Sequence, residues 1–342
     1  MSTFVTLDEI RAAKERIAGV AVRTPLYRVE RARLRMAKIV EPEFDLYIKA
    51  ESEQPIGSFK LRGAYNMVAQ LSPEALRRGV ITYSSGNHAQ GVAYAARALG
   101  TKAVIVMPSN APEVKKAATR ALGAEIVEVG PASLERKTKA EELVAEFGYA
   151  MIPPYDAREI IAGQGTCGLE IVEQLPGVEL VLSPVSGGGL LSGVATAVKL
   201  AAEAGLALPN VKVWGAEPEL AADAKESFET KTLVEWPAAK TTRTIGDGLR
   251  TQSLGALNFE HVLRFVDGIV TVSEAEILSA MRVMLAATNL VPEPSGAVTL
   301  AAALYHAHEL PKARKVAVVL SGGNLEPALR EQLESELAER VE

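Results

Sequence analysis

The 342-residue chain holds a single cysteine, Cys167, only four histidines and only 5% aromatic residues. One thiol excludes an intrachain disulfide and any metal centre built on several cysteines, and it suits a reducing compartment, so a cytoplasmic location is expected. The histidines, His88, His261, His306 and His308, show no HExxH-like spacing of the kind that marks a zinc site. His306 and His308 read as exposed positions near the end of a helix. No run approaches the roughly 18 uninterrupted apolar residues of a membrane span. Positive charge is not in excess either: the net charge is -5, which gives no electrostatic attraction to nucleic acid or to an anionic membrane. A repeat of roughly 20–50 residues and low-complexity tracts are both missing. The opening stretch, MSTFVTLDEIRAAKERIAGV, carries acids early and reads as an amphipathic helix capped near Thr6, not as a signal peptide.

The composition that remains, 48% hydrophobic with 23% charged residues, is that of a globular protein acting on a small molecule. At about 150 residues per domain the length suggests two domains. From residue 79 onward, β-branched runs alternate with Ala-rich helical stretches: GVITYSS then NHAQGVAYAARALG, KAVIVMP then PEVKKAATRALG, AEIVEVG then SLERKTKAEELVAEFG. The pattern returns in ELVLSPVSGGGLLSGVATAVKLAAEAG and KVAVVLSGGNLEPALREQL. It predicts βαβ units, hence α/β architecture with parallel sheets covered by helices. MIPPYDAREIIAGQGTCGLE, with paired prolines and several glycines, breaks the rhythm and reads as a crossing between domains. PAAKTTRTIGDGLRTQSLGALNFEHV does not resolve into elements; as a long ordered loop, its IGDGL either approaches a ligand or merely connects two elements.

In an open parallel sheet, ligands collect beyond the carboxyl ends of strands, where helix N-termini expose unpaired N–H groups. Three corners have that composition. At TYSSGNHAQG, residues 82–91, Ser84, Ser85 and Gly86 follow a strand and Asn87 and His88 open a helix, which suits a small carboxylate or serves only as a cap. At SPVSGGGLLSG, residues 183–193, Ser186, Gly187, Gly188 and Gly189 lay bare a row of backbone N–H groups. These suit a terminal phosphate, unless the glycines merely permit tight packing; neither a P-loop nor GxGxxG spacing is present. At VVLSGGN, residues 318–324, a buried strand delivers Ser321 to its carboxyl end. A fourth stretch, GSFKLRGA at residues 57–64, follows the strand DLYIKA; Ser58 is the expected N-cap and Lys60 falls in the first helical turn. There the positive end of the helix dipole disfavours the ammonium and lowers its pKa. Lys60 is thus either an amine kept partly neutral for chemistry or a surface lysine whose head snorkels to water. A neutralised lysine, a phosphate cup and a hydroxyl at a strand end together describe a pyridoxal 5′-phosphate (PLP) site.

With these motifs assembled, the chain resembles the tryptophan-synthase-β-like (fold type II) PLP enzymes, in particular their threonine/serine dehydratase and serine racemase group. GSFKLRGA, SSGNHAQG, SGGGLLSG, EPSGA and LSGGN occur in the family's order over nearly the whole chain. The cysteine-synthase branch carries a different lysine motif and TSGN-TG in place of SSGNHAQG. The resemblance implies two parallel-sheet α/β domains with the cofactor in the cleft between them: a discontinuous large domain, 1–75 and 153–342, and a small mobile domain, 76–152. It makes Lys60 the Schiff-base lysine, with Phe59 beside the cofactor ring, Asn87 on the phenolic oxygen, the loop Ser186 to Leu190 on the phosphate through its amides, and Ser321 facing the pyridine nitrogen. Gly248 of IGDGL and Glu293 of PEPSGA would line the pocket. The corner Ser84, Ser85, Gly86, Asn87 and His88 would hold the substrate carboxylate, and Ser85 matches the residue that serves racemases on the face opposite the lysine.

A neutral serine at the ring nitrogen favours prompt β-elimination over a long-lived carbanion. The implied activity is dehydration of L-threonine to 2-oxobutanoate, in the direction of isoleucine biosynthesis, and of L-serine to pyruvate. Serine racemisation or threo-3-hydroxyaspartate ammonia-lyase activity is the alternative, and an inactive scaffold on the same fold the non-enzymatic one. The resemblance further implies a divalent cation, Mg²⁺, Ca²⁺ or Mn²⁺, on Glu217, the Ala221 carbonyl and Asp223, an oxygen set suited to a hard cation. It also implies a homodimer or homotetramer, with no nucleic-acid or membrane partner. The 18 residues after Asn324 (342 − 324) are too few for the regulatory domain of biosynthetic threonine dehydratases, so feedback control through one is not expected.

Overall fold

The computed structural model describes residues 3–36, 42–130 and 133–339. Its strands are β1 (Leu26–Arg28), β2 (Asp45–Ala50), β3 (Val80–Tyr83), β4 (Ala103–Pro108), β5 (Glu125–Val129), β6 (Ala150–Met151), β7 (Leu180–Pro184), β8 (Lys212–Pro218), β9 (Gly268–Val272) and β10 (Lys315–Leu320). They form two sheets. The larger runs β1-β2-β10-β7-β8-β9 and the smaller β5-β4-β3-β6. Every pairing is parallel except that of β1 with β2. The expected α/β class and two-sheet division are therefore found.

Strand β10 shows why near-continuous apolar runs build such sheets. Val316, Val318 and Leu320 enter one core with the helices Glu274–Ala287 and Pro294–Tyr305. Their neighbours Ala317 and Val319 enter a second core, with the helices Arg158–Gln174, Gly189–Glu203 and Ala256–Phe265. A strand buried on both faces carries apolar residues at both parities. β10 lies between β2 and β7, so Ser321 emerges in the middle of the sheet, where strands run out to both sides.

The stretch expected to cross between domains leaves β6 of the smaller sheet and, from Arg158 to Gln174, forms one continuous and largely buried helix that its glycines do not break. Its glycines are points of close approach. A Cβ on Gly163 would strike the backbone of Gly63 and Arg62, and one on Gly168 the backbone of Val194, 2.7 Å from its carbonyl oxygen. Backbone contact, not chain reversal, is what those residues supply. The segment around IGDGL also acquires order, as a short helix Ala238–Thr241, a 3₁₀ turn Asp247–Leu249 and the helix Ala256–Phe265.

Thr6 does cap the first helix, accepting from the Glu9 N–H while the Glu9 carboxylate returns to Thr6. His308 is exposed, but His306 is not. Its ring sits between Glu309 (2.7 Å) and Glu276 (3.1 Å), which draw it onto the protein. No helix among the described residues is long and apolar enough to cross a membrane.

Candidate active site

Lys60 is the first residue of the helix Lys60–Val68. Ser58, however, is not its cap: Phe59 holds that position, and Ser58 is buried in a short bridge with Gly322. The reason lies in the neighbouring bonds. The Phe59 N–H donates to the Ser321 carbonyl (3.0 Å) and the Gly323 N–H to the Gly57 carbonyl (2.9 Å). The segment before the lysine is thus tied through an isolated bridge to the turn after β10, which leaves Ser58 no freedom to cap. Gly57, at φ 70°, is pressed against the Asn324 amide.

Burial is the main cause of the lowered Lys60 pKa, about 8, and the nearby Glu293 carboxylate partly opposes it. The direction is the one expected, with desolvation as its cause. Nζ donates to the Pro154 carbonyl at 2.7 Å and lies 5.1 Å from the centre of the Phe59 ring.

The corner after β3 faces this lysine. The helix Asn87–Ala98 begins at Asn87 and packs its Gly91 against the Lys60 backbone, where a Cβ would sit 3.3 Å from the lysine carbonyl. Asn87 donates to Glu293 (2.8 Å) and accepts from the Asn324 side chain (2.7 Å), so its amide is fixed from two sides. His88 is buried, and its pKa falls to about 3 through burial first and the Lys60 charge second; its Nε2 donates to the Ile152 carbonyl. The ring is therefore neutral, and the corner offers amides and hydroxyls, not a fixed histidine cation. Glu293, on the turn into the helix Pro294–Tyr305, is raised to about 7 by burial and then by Asp247. The Ser321 hydroxyl stands at the end of β10 and is 3% exposed.

The third corner lies between β7 and the helix Gly189–Glu203. Ser186 takes φ 56° and Gly188 φ 91°, a left-handed pair that curls the chain into a cup. The N–H groups of Gly187, Gly189 and Leu190 make no hydrogen bond among the described residues. Unspent donors at a helix N-terminus are what a phosphate requires, so the chain fits the cofactor there. The Ser186 hydroxyl donates to the Gly248 carbonyl (2.9 Å), and the Gly248 N–H donates to the Ser295 hydroxyl (2.9 Å). IGDGL therefore reaches the cup. Lysine and cup meet through one short segment: Pro154 accepts from Lys60, while Tyr155 lays its ring against Gly187 and its Cβ and backbone against Gly189.

The acids at the end of β8 form a separate cluster. Glu217 and Asp223 are buried, at 1% and 2% exposure, beside the buried Ala221. Glu217 accepts from the Lys225 backbone N–H at 2.7 Å, and Asp223 Oδ2 has no hydrogen-bond partner. Burial pushes both carboxyls up, Glu217 well above its ordinary range with Asp223 adding to it, and Asp223 to about 7. No lysine or arginine side chain forms an ion pair with either among the described residues. A buried oxygen set with an orphaned carboxylate atom fits a hard cation.

A family model described as pyridoxal-phosphate dependent enzyme matches residues 17–322. The chain belongs to this family. Within these pyridoxal-phosphate dependent enzymes it is 41% identical over 281 residues to the L-threo-3-hydroxyaspartate ammonia-lyase of Saccharomyces cerevisiae, covering 82% of this chain and 83% of that one. To the serine racemase of Schizosaccharomyces pombe it is 36% identical over 323 residues, covering 94% of each. The crystal structure of a threonine deaminase from T.th. superposes with a TM-score of 0.85 at 44% identity, over 94% of this chain and 99% of that chain. Family membership makes the protein a PLP enzyme of the carbon–nitrogen lyase class, with racemisation as a related activity, and its architecture is tryptophan-synthase-β-like. Two contributors outside the expected residues are Tyr155 and Asn324. Their signal was adjacency: Tyr155 follows the paired prolines, and Asn324 ends LSGGN.

Proposed function

We propose that the protein is a hydroxy-amino-acid ammonia-lyase that dehydrates L-threonine to 2-oxobutanoate and L-serine to pyruvate, releasing ammonia, as a cytoplasmic homodimer or homotetramer. One observation carries this reading: an amine of lowered pKa is joined through the adjacent residues Pro154 and Tyr155 to a glycine cup with unspent donors. When bound, PLP supplies the electron sink that makes the amino acid's α-proton acidic and lets the β-hydroxyl depart.

The chain's own residues do the rest. The amides of Ser186 to Leu190 hold the phosphate. Phe59, Gly248 and Glu293 would line the ring, Asn87 would serve its phenolic oxygen, and Ser321 would leave the ring nitrogen without an ionic partner. The corner from Ser84 to His88 grips the substrate carboxylate through backbone N–H groups and hydroxyls. Lys60, neutral for a substantial fraction of the time near pH 8, takes the α-proton. Residues 1–75 with 153–342 form the large domain, and 76–152 a smaller one that moves to enclose the substrate.

Ser85 gives a second reading its footing. It is half-buried at the lysine-facing corner, and a proton donor on the opposite face is what racemisation needs beyond Lys60. Offered L-serine, L-threonine and threo-3-hydroxyaspartate in turn, the holoenzyme is expected to form keto acid fastest from threonine or serine. Ser85→Ala is expected to suppress any D-serine while sparing pyruvate. Dominant turnover of hydroxyaspartate would replace the threonine/serine assignment, and D-serine persisting in Ser85→Ala would remove Ser85 from that role.

Glu217, the Ala221 carbonyl and Asp223 would hold Mg²⁺, Ca²⁺ or Mn²⁺. Neutralising two crowded buried carboxylates stabilises the folded state by mass action. Chelation is therefore expected to lower the melting temperature by several degrees in wild type and to leave Glu217→Gln unchanged. A melting curve indifferent to both chelator and added cation would withdraw the site.

A further inference from the structure

Three consecutive residues in the segment that joins β6 to the helix Arg158–Gln174 each touch a different element. The Pro154 carbonyl accepts from Lys60 Nζ, and Tyr155 lies on the glycines of the cup. Asp156 reaches a helix distant in sequence. Its carboxylate accepts from the N–H groups of Ala256 (3.1 Å), Leu257 (3.0 Å) and Asn258 (3.3 Å), the opening of the helix Ala256–Phe265. That helix has no cap of its own, because its N-cap residue is Gly255. A side chain at 255 would collide with the Asp156 carboxylate, so the glycine is what admits the remote cap.

The capped helix in turn grips the cup from behind. Asn258, with no exposed surface, donates through Nδ2 to the Gly187 carbonyl at 2.8 Å, and the Gly255 N–H donates to the same oxygen at 3.1 Å. With its carbonyl held on the outside by two donors, Gly187 is fixed while the N–H groups of Gly187, Gly189 and Leu190 are left over for a ligand. The left-handed Gly188 packs on Leu254 and the Asn258 side chain, which closes the brace.

We infer that Asp156 and Asn258 are positioning residues for the phosphate subsite: Asp156 fixes the start of the helix Ala256–Phe265, and Asn258 uses that fixed point to hold the Gly187 carbonyl outward, so that the loop presents its amides preassembled. Both act through backbone groups and not on the phosphate itself. The inference deepens the reading of Ser186 to Leu190 as the phosphate loop, and rests on it.

The test separates a phosphate effect from a general one by comparing two aldehydes that differ only in the phosphate. Full-length protein stripped of cofactor is titrated with PLP and with pyridoxal, following the visible absorbance. Wild type is expected to prefer PLP strongly. Asn258→Ala is expected to weaken PLP binding about tenfold, the scale of one lost buried hydrogen bond and its unpaired carbonyl, and to leave pyridoxal binding unchanged. Asp156→Asn, which keeps the shape but weakens the cap, is expected to show a smaller loss with the same selectivity, and it carries the comparison alone if Asn258→Ala does not fold. Equal losses for both aldehydes, or no loss for either, would overturn the brace. A wild type with no preference for PLP over pyridoxal would overturn the phosphate-loop reading itself, and the brace with it.

Discussion

Lys60→Ala is expected to abolish keto-acid formation and, with it, the visible absorbance of the attached cofactor. Several orders of magnitude are at stake, because in the proposed mechanism one amine does two jobs: it anchors the aldehyde and it moves the α-proton. The variant should still fold. Its Nζ makes a single bond, to the Pro154 carbonyl, and removing a desolvated amine with a lowered pKa relieves a cost of burial. Phosphate affinity should largely survive, since the cup after β7 owes nothing to the lysine side chain. Spectrum and binding therefore dissociate: PLP is still retained, with the absorbance of the free aldehyde. A pH series on cofactor-free wild type gives an independent check. The neutral amine is the attacking species, so the rate of cofactor attachment should rise as pH increases through about 8 and level off above it. Undiminished turnover in Lys60→Ala, or attachment that slows with rising pH, would remove Lys60 from its place.

Much of this site was legible because its parts are backbone parts. Phosphate cups and carboxylate corners are made from N–H groups at strand ends, and they need serine and glycine at fixed offsets, which a sequence displays openly. SSGN, SGGG and LSGGN are visible for that reason, and so is the β/α alternation that places them. Side chains acting across long sequence separation left no such trace. Asp156 caps a helix a hundred residues away, and nothing in PPYDA marks it as a cap. Glycine misled in the opposite direction. In IAGQGTCG it reads as a breaker, yet Gly163 and Gly168 serve close contact between helices, and only the partner backbone reveals that. Ser58 looked like a cap because the local pattern favours one; tertiary pairing with Gly322 overrode it.

Arg62 is the largest such omission, and its replacement carries the largest expected loss of stability. It lies two residues beyond Lys60, with no exposed surface, and its guanidinium is clasped along two edges. Nε and Nη2 donate to Glu51 at 2.7 Å each, and Nη1 and Nη2 to Glu170 at 2.8 Å each. Lys49, equally buried, donates to Glu170 at 2.6 Å and to the Thr24 carbonyl. Two cations and two carboxylates balance, and together they tie the Lys60 helix to β2, to the turn after it and to the helix Arg158–Gln174. Arg62→Met keeps the bulk but leaves two buried carboxylates facing one ammonium, a loss of about 3–5 kcal/mol. Arg62→Lys should recover only part of it, because an ammonium cannot bind both carboxylates edge-on.

The pH dependence gives the sign. In wild type, burial alone would raise the Glu51 carboxyl, but Arg62 overcomes this and holds it below its ordinary value. Its contribution is present above the unfolded-state pKa, about 4.3, and is lost as pH falls through the folded value. In Arg62→Met the same carboxyl is buried without its cation, so its folded pKa moves up and the penalty grows as pH rises above the unfolded value. Acidification therefore weakens wild type and relieves the variant. Denaturant midpoints measured from pH 7 downward should converge. A gap between the two that stays constant over that range would show that the cluster is not held by charge, and a gap near zero at neutral pH would show that Arg62 does not anchor the helix that carries Lys60.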